Sequence, residues 1–356
     1  AVMAAGVILT YVNVDTAQRS VEQGLKDLNG IDSGRSAIVL KILLNSIQFN
    51  SIAATFKYKW PKPVEFMLTY QAVGGNSMTA LMNVDCAVQD TIKVRTFYLD
   101  TLIIALVPLF VPFLAWLSVL LADCLSKRNK NNAGDRFEGV YALPEDGDPQ
   151  NLEKREKKGK YQTAVMSLLF ALYPSLVLQA FKLFNCQQLG ETSESFVLMA
   201  DMREICHQGS QLTWMLFLGV PMVVVYVLGF PIICLILLNK FKHILPTRWT
   251  NEAETWSPYI RRKKQLVAMK LYLLFHGYKP NFYYFEVVIM VRKLLVVAIA
   301  VFFHDQLIQA LLATLLVVIV MTIQVRIMPF TGPILNILEF YSLATSFVTF
   351  FFGLVL

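Results

Sequence analysis

The chain has 356 residues, of which 56% are hydrophobic and 16% charged, with a formal net charge of +7. Soluble domains carry about a quarter charged residues, so a soluble protein this apolar would have too little polar surface to cover itself. Several apolar runs reach the roughly 20 residues that cross a bilayer. The composition therefore excludes an ordinary soluble fold and predicts an all-α, polytopic bundle of transmembrane helices, with residues 1–356 forming one transmembrane domain.

Eight membrane-spanning helices are predicted in chain order. They cover residues 1–14, 36–56, 96–124, 162–184, 211–238, 283–303, 306–327 and 335–356. Between the second and third, residues 64–90 are moderately apolar, interrupted by Gly74 and Gly75, and too polar to span, which predicts a short interfacial or re-entrant helix. Both ends of the sequence lie inside apolar runs, so we expect this chain to be the membrane part of a longer polypeptide.

The basic residues predict the orientation of these helices. Nine Lys and Arg residues lie between Lys127 and Lys160, and nine more lie between Lys240 and Lys279. Cytoplasmic loops carry such an excess of basic residues. We therefore place 125–161 and 239–282 in the cytosol and 57–95 and 185–210 outside, which also puts the N-terminus outside. Because eighteen of the 32 basic residues lie in these two loops between spans, the charge favours membrane topology over a nucleic-acid partner.

The two cytosolic loops differ in character. In the first, acids nearly balance bases from residue 129 to 160, which is typical of a mobile linker. The second combines Trp249, Trp256 and Tyr259 with a run of four basic residues, Arg261, Arg262, Lys263 and Lys264. This mixture fits a surface helix that binds the head groups of anionic membrane lipids. A solvated basic loop that only sets topology explains it equally well.

Five cysteines are present, and three of them fall outside on this topology. Disulfides belong to the oxidising side of a membrane. Cys186 and Cys206 bracket one short outer segment, so they are the first choice for a disulfide, with Cys86 as an alternative partner for either. The spacing does not fit a zinc cluster, and we expect no metal site.

Polar residues within the predicted spans form a second candidate site. Two sets lie at helical spacing, one on the second span (Lys41, Asn45, Gln48 and Thr55) and one on the eighth (Glu339, Ser342, Ser346 and Thr349). In addition, Asp100 lies on the third span, and the pair Arg292 and Lys293 lies on the sixth. Charges are costly in a bilayer, so these groups either bond helices together or line a proton or ion path. Bonding between helices is the commoner use. We expect Glu339 to face the interior and pair with Lys41, Arg292 or Lys293.

Sequence motifs of catalysis are absent. No Walker loop, GxSxG, HExxH or CxxC occurs, and the four histidines are isolated from one another. We therefore expect no enzymatic activity and no cofactor.

Several short motifs carry a resemblance to a known family. They are Leu172-Tyr173-Pro174-Ser175, Phe184-Asn185-Cys186, Leu228-Gly229-Phe230-Pro231, Gly277-Tyr278-Lys279-Pro280, Tyr283-Tyr284-Phe285-Glu286, Arg292-Lys293-Leu294-Leu295 and Asn336-Ile337-Leu338-Glu339 with Ser342-Leu343. Residues 36–356 resemble the C-terminal membrane region of large protist and algal surface proteins with ephrin-receptor-like cysteine-rich repeats. The chain is more distantly similar to the fungal transient-receptor-potential-like and flavin-carrier family. Phe285 stands where that pattern often has Trp.

The resemblance implies about nine membrane helices and a place in the plasma membrane, including its extension over a cilium or flagellum. It implies a module of receptor or mechanical-sensor type that anchors a large extracellular region. The implied partners are membrane lipids and extracellular structural or cysteine-rich protein regions, and the module could form homo- or hetero-oligomers. The alternative is a subunit of a transient-receptor-potential-like cation channel, and a small-molecule transporter is third. Against a conventional channel, only residues 304–305 separate the sixth and seventh spans, too few for a selectivity filter.

Overall fold

The computed structural model describes residues 35–56, 60–75, 96–132, 149–189, 196–242 and 270–355, and these residues are mostly helical. The predicted first span, Cys86 and the Arg261–Lys264 cluster lie outside the described residues.

The helices and strands follow one another in this order: α1 (Arg35–Ala53), α2 (Lys62–Gly75), α3 (Thr96–Asn132), α4 (Pro149–Lys182), β1 (Cys186–Gln188), β2 (Phe196–Leu198), β3 (Asp201–Ile205), α5 (Gly209–Phe241), α6 (Tyr272–Phe275), α7 (Phe285–Phe302), α8 (Gln306–Ile327) and α9 (Pro333–Val355). A 3₁₀ turn, Pro280–Phe282, precedes α7.

Six of the described helices are long and apolar enough to cross a membrane. The qualifying segments are Ser36–Ala53, Thr96–Leu117, Lys157–Lys182, Gly209–Phe241, Gln306–Ile327 and Pro333–Leu354. They coincide with six of the eight predicted spans. The predicted sixth span forms the 18-residue helix α7, which is not among these six because it contains three charged residues, Glu286, Arg292 and Lys293.

The predicted loop between the third and fourth spans is helical at both of its ends. α3 continues to Asn132, and α4 begins at Pro149, so both ends of the segment 129–160, for which we expect a mobile linker, are helical. The helix expected between 64 and 90 is α2, which ends at Gly75.

Helix α5 accommodates two prolines by changing its winding. Its backbone forms π-helical turns at Met215–Gly219 and Val223–Gly229, each followed by a helical segment with a proline near its start. Pro231 has no N–H to donate to the carbonyl of Val227, and the hydroxyl of Tyr173 on α4 donates to that carbonyl instead, at 3.1 Å. A neighbouring helix thus satisfies the carbonyl that the proline leaves open.

Helix α7 lies at the centre of the packing and contacts α1, α4 and α8, while α9 packs against α1 and α8. The largest apolar core joins these helices, and its aromatic members include Phe49 on α1, Phe170 on α4 and Phe350 on α9. The rings of Phe49 and Phe350 meet edge to face with centroids 5.9 Å apart. By contrast, α5 and α8 leave large apolar side chains such as Phe217 and Leu307 exposed, as lipid-facing helices do.

A small antiparallel sheet follows α4. Its strands have the order β1-β2-β3, and Cys186 lies opposite Leu198 in the register. The predicted disulfide between Cys186 and Cys206 is confirmed, with the two Cα atoms 6.2 Å apart. It ties β1 to the residue that follows β3 and so closes the sheet against the start of α5.

The disulfide is expected to stabilise the protein. Its sequence separation is 20 residues, and closing a loop of that size contributes about 3 kcal/mol. Cys186→Ser, Cys206→Ser and the double variant should each lower the melting temperature in detergent by a similar amount, because any of them removes the whole bond. A reductant should lower the melting temperature of the wild type towards that of the variants and leave the variants unchanged. Equal sensitivity of all four proteins to the reductant would contradict the assignment.

Candidate functional site

The predicted polar residues of the spans meet in the interior, where they form a buried charge network. We use this name for Lys41, Glu286, Arg292, Lys293 and Glu339, together with the polar groups that contact them. Each of these five side chains is at most 4% exposed. They come from α1, α7 and α9, so the network joins three helices that are distant in sequence.

The first ion pair joins α1 to the start of α7. Lys41 Nζ lies 2.7 Å from Glu286 Oε2, and it also donates to the carbonyl of Leu273 at 3.1 Å. Glu286 is in the first turn of α7, where the helix dipole favours a negative charge. The pair therefore receives support from both a main-chain carbonyl and a helix terminus.

Tyr278, in the segment before α7, completes this pair. Its hydroxyl donates to Glu286 Oε2 at 2.8 Å, and the Lys41 ammonium lies over its ring, 4.6 Å from the centroid. Burial, followed by the negative charge of Glu286, raises the pKa of Tyr278 well above its ordinary value. The phenol therefore stays protonated at physiological pH and remains a hydrogen-bond donor.

The second ion pair joins α7 to α9. Arg292 Nη1 donates to Glu339 Oε1 at 2.8 Å, and the guanidinium lies over the ring of Phe49, 5.2 Å from its centroid. The expectation that Glu339 faces the interior and meets a cation is confirmed, and of the three candidates its partner is Arg292. Lys41, another candidate, pairs with Glu286.

Lys293 differs from the other two cations, because it makes no ion pair with any described residue. Its ammonium donates to Gln48 Oε1 at 2.6 Å and lies over the ring of Phe170, 4.2 Å from the centroid. Gln48 in turn donates from Nε2 to the carbonyl of Ala171 at 2.8 Å. A hydrogen-bonded chain thus runs from α7 through α1 to α4.

The remaining polar residues at helical spacing on the second and eighth predicted spans make fewer contacts between helices. Ser346 on α9 donates to Asn50 Oδ1 on α1 at 2.6 Å, whereas Thr55 and Thr349 donate to carbonyls of their own helices. The buried amide of Asn45 has no hydrogen-bond partner among the described residues. Asp100 lies away from the network, in a cleft at the other end of α7.

Sequence reasoning missed two members of the network, Glu286 and Tyr278. A signal for Glu286 was present, since it is a carboxylate inside a predicted span that also holds Arg292 and Lys293. Tyr278 carried no such signal, because its role depends on a turn that returns it towards α1. Among the described residues, no group of three His, Cys, Asp or Glu side chains is arranged to hold a metal ion.

The chemistry of the buried charge network is that of a cross-link between helices. Both carboxylates are paired, and each cation has a hydrogen bond or a carboxylate together with an aromatic ring.

No protein-family model, curated protein or solved structure matches this chain. The geometry and the sequence therefore carry the functional argument alone.

The Arg292–Glu339 pair is expected to hold α7 and α9 together. Glu339→Ala leaves a buried guanidinium without its counter-charge and should lower the free energy of unfolding by about 3–5 kcal/mol. Adding Arg292→Met to that variant removes the orphaned charge and should recover part of the loss. The measurement is thermal unfolding of the purified protein in detergent.

Arg326→Met serves as the matched control, because Arg326 is an exposed arginine near the end of α8. It should change the melting temperature little. The ion-pair assignment fails if Glu339→Ala behaves like this control, or if the two substitutions at 292 and 339 are simply additive.

Proposed function

We propose that this chain is a multi-pass integral membrane module that anchors an extracellular protein region at the cell surface, with an interior closed to ions. The observation that carries the proposal is the pairing within the buried charge network. The polar stripes on α1 and α9 are the features that favoured a conduit in the sequence, and their charged members bond helices to one another. Paired and packed charges of this kind act as structural contacts.

The charge balance of the interior also argues against a cation pore. The network holds three basic residues and two carboxylates, so its formal charges leave no excess of negative charge to attract a cation. Cation-selective pores use rings of carboxylates or carbonyls. Lys293, a basic group with no carboxylate partner among the described residues, adds nothing that would attract a cation.

The connection between α7 and α8 is a further argument against a conventional channel. Helix α7 ends at Phe302 and α8 begins at Gln306, and three residues cannot build a selectivity filter. This connection is also held in place. Gln309 Nε2 donates to the carbonyls of Ala300 and Phe303 at 2.9 and 3.1 Å, so the side chain caps the end of α7.

The disulfide-closed sheet supports an outward orientation for that end of the molecule. Disulfides persist in oxidising compartments, and the Cys186–Cys206 bond lies at the same end as the α7–α8 connection, where His304 contacts Asn185. This arrangement agrees with the orientation that the basic loops predict. Four further parts of the proposal rest on the sequence resemblance. They are the location in the plasma membrane, an extracellular cysteine-rich or structural partner, association into oligomers, and a relationship to protist and algal surface proteins.

Planar bilayers containing the purified protein test the closed interior. We expect no reproducible single-channel currents from the wild type. Reproducible cation currents that Glu339→Gln or Lys41→Met abolishes would contradict the proposal and would favour the transient-receptor-potential-like channel. Currents that persist in those variants and in a protein-free control would be leakage of the bilayer.

A reporter epitope tests the anchoring geometry separately. Placed before residue 1, it should be reached by antibody on intact cells, whereas the same epitope within 243–269 should be reached only after permeabilisation, because the basic loops face the cytosol. The reverse pattern would contradict the anchor, since no extracellular region could then be attached to the N-terminal end.

A further inference from the structure

A cleft of about 430 Å³ lies at the disulfide end of the molecule, away from the buried charge network. Its walls come from α3, α4, α7, α8 and the segment around β1. The lining is rich in polar side chains, among them Asp100, Gln179, Lys182, Asn185, His304 and Gln309. Ligand pockets for small molecules occupy about 300–1,000 Å³ and contain a few convergent polar groups. The cleft meets both criteria.

Gln179 is the most buried polar side chain of the cleft, and the oxygen of its amide has no hydrogen-bond partner among the described residues. The side chain is 2% exposed, and its Nε2 donates to Thr101 Oγ1 on α3 at 2.9 Å. Its Oε1 is buried and accepts no hydrogen bond from any described residue. A buried acceptor without a donor is costly, so this atom is a place where a donor from a ligand would be favourable.

Lys182 lies in the last turn of α4, three residues after Gln179 and therefore on the same face of the helix. Its side chain interacts electrostatically with Asp100. Asp100, on the facing helix α3, adds a carboxylate to the same cleft. The cleft thus presents a cationic donor, a neutral acceptor and an anionic acceptor on two opposed helices.

The mouth of the cleft is held open and in shape by contacts that do not use these groups. His304 Nε2 and Asn185 Oδ1 are hydrogen-bonded at 2.8 Å, which joins the α7–α8 connection to the segment before β1. Gln309 is fixed by its bonds to the end of α7. Because Phe303 and His304 are exposed, the cleft opens at the surface between α7 and α8. Such preorganised walls lower the cost of binding.

We propose that this cleft binds a small molecule that carries both an ammonium group and an anionic group. Lys182 binds the carboxylate or phosphate of the ligand, while Gln179 Oε1 and Asp100 accept hydrogen bonds from its ammonium. A free amino-acid-like solute and the ethanolamine head group of a phospholipid share this chemistry. The assignment does not depend on the anchoring function, because neither the buried charge network nor the N-terminal side takes part in it.

The test uses the full chain purified in an uncharged maltoside detergent, whose head group carries neither charge of the proposed ligand. Isothermal titration calorimetry with 4-aminobutyrate and with glycerophosphoethanolamine measures binding of soluble probes. Native mass spectrometry of the same preparation measures retained phosphatidylethanolamine. The variants are Lys182→Met, Lys182→Arg and Gln179→Leu, and Lys158→Met is the matched control, since Lys158 is an exposed lysine in the same helix, far from the cleft.

The expected result is binding that Lys182→Met weakens by at least about tenfold, as the loss of a charged hydrogen bond predicts. Lys182→Arg and Lys158→Met should retain it, and Gln179→Leu should weaken it and so provide a second readout if Lys182→Met does not fold. Binding of 4-aminobutyrate identifies a free amino-acid-like solute, whereas retained phosphatidylethanolamine, or binding of glycerophosphoethanolamine without binding of 4-aminobutyrate, identifies a lipid head group. The proposal is overturned if neither ligand binds, or if Lys182→Met and Lys158→Met bind equally.

Discussion

Charged side chains buried among apolar helices set the main constraint on this structure. A lone ammonium, guanidinium or carboxylate in such surroundings loses several kcal/mol of hydration, which only a close partner offsets. Lys41 meets Glu286, Arg292 meets Glu339, and Lys293 meets an amide oxygen and an aromatic ring. Satisfying these groups requires α1, α7 and α9 to adopt one mutual arrangement, and the surrounding apolar contacts alone would permit several.

Helix α7 is the element on which this arrangement depends. Its three charged residues contribute to both ion pairs and to the contact with Gln48. Its position at the centre of the packing follows, because its charges need partners from helices on different sides. The more apolar helices α5 and α8 keep large exposed side chains and are suited to contact lipid. The same division underlies the proposal of an interior closed to ions, because the charged side chains of the two ion pairs contact one another.

The sequence predicted the positions of the long helices because an apolar run of about 20 residues leaves few alternatives. It also predicted the Cys186–Cys206 bond, since the two residues bracket a short segment on one side. The partners within the buried charge network were harder. Helical spacing identified the face that bears Lys41 and the one that bears Glu339, but which of the three cations meets Glu339 depends on the rotation of α7, which the sequence does not show. The cleft was not predictable, because Gln179, Lys182 and Asp100 converge from segments about 80 residues apart.

Solid-state NMR in lipid bilayers tests the central claim, that paired charges hold the interior closed. Dipolar coupling between ¹⁵N-labelled arginine and the ¹³C-labelled carboxylate of glutamate reports the Arg292–Glu339 contact directly, and the same experiment on Arg292→Met identifies which signal belongs to it. The 2.8 Å contact predicts a strong coupling that is present in the wild type and absent from the variant. Identical couplings in the two proteins would show that the charges are apart in the membrane and would contradict the account.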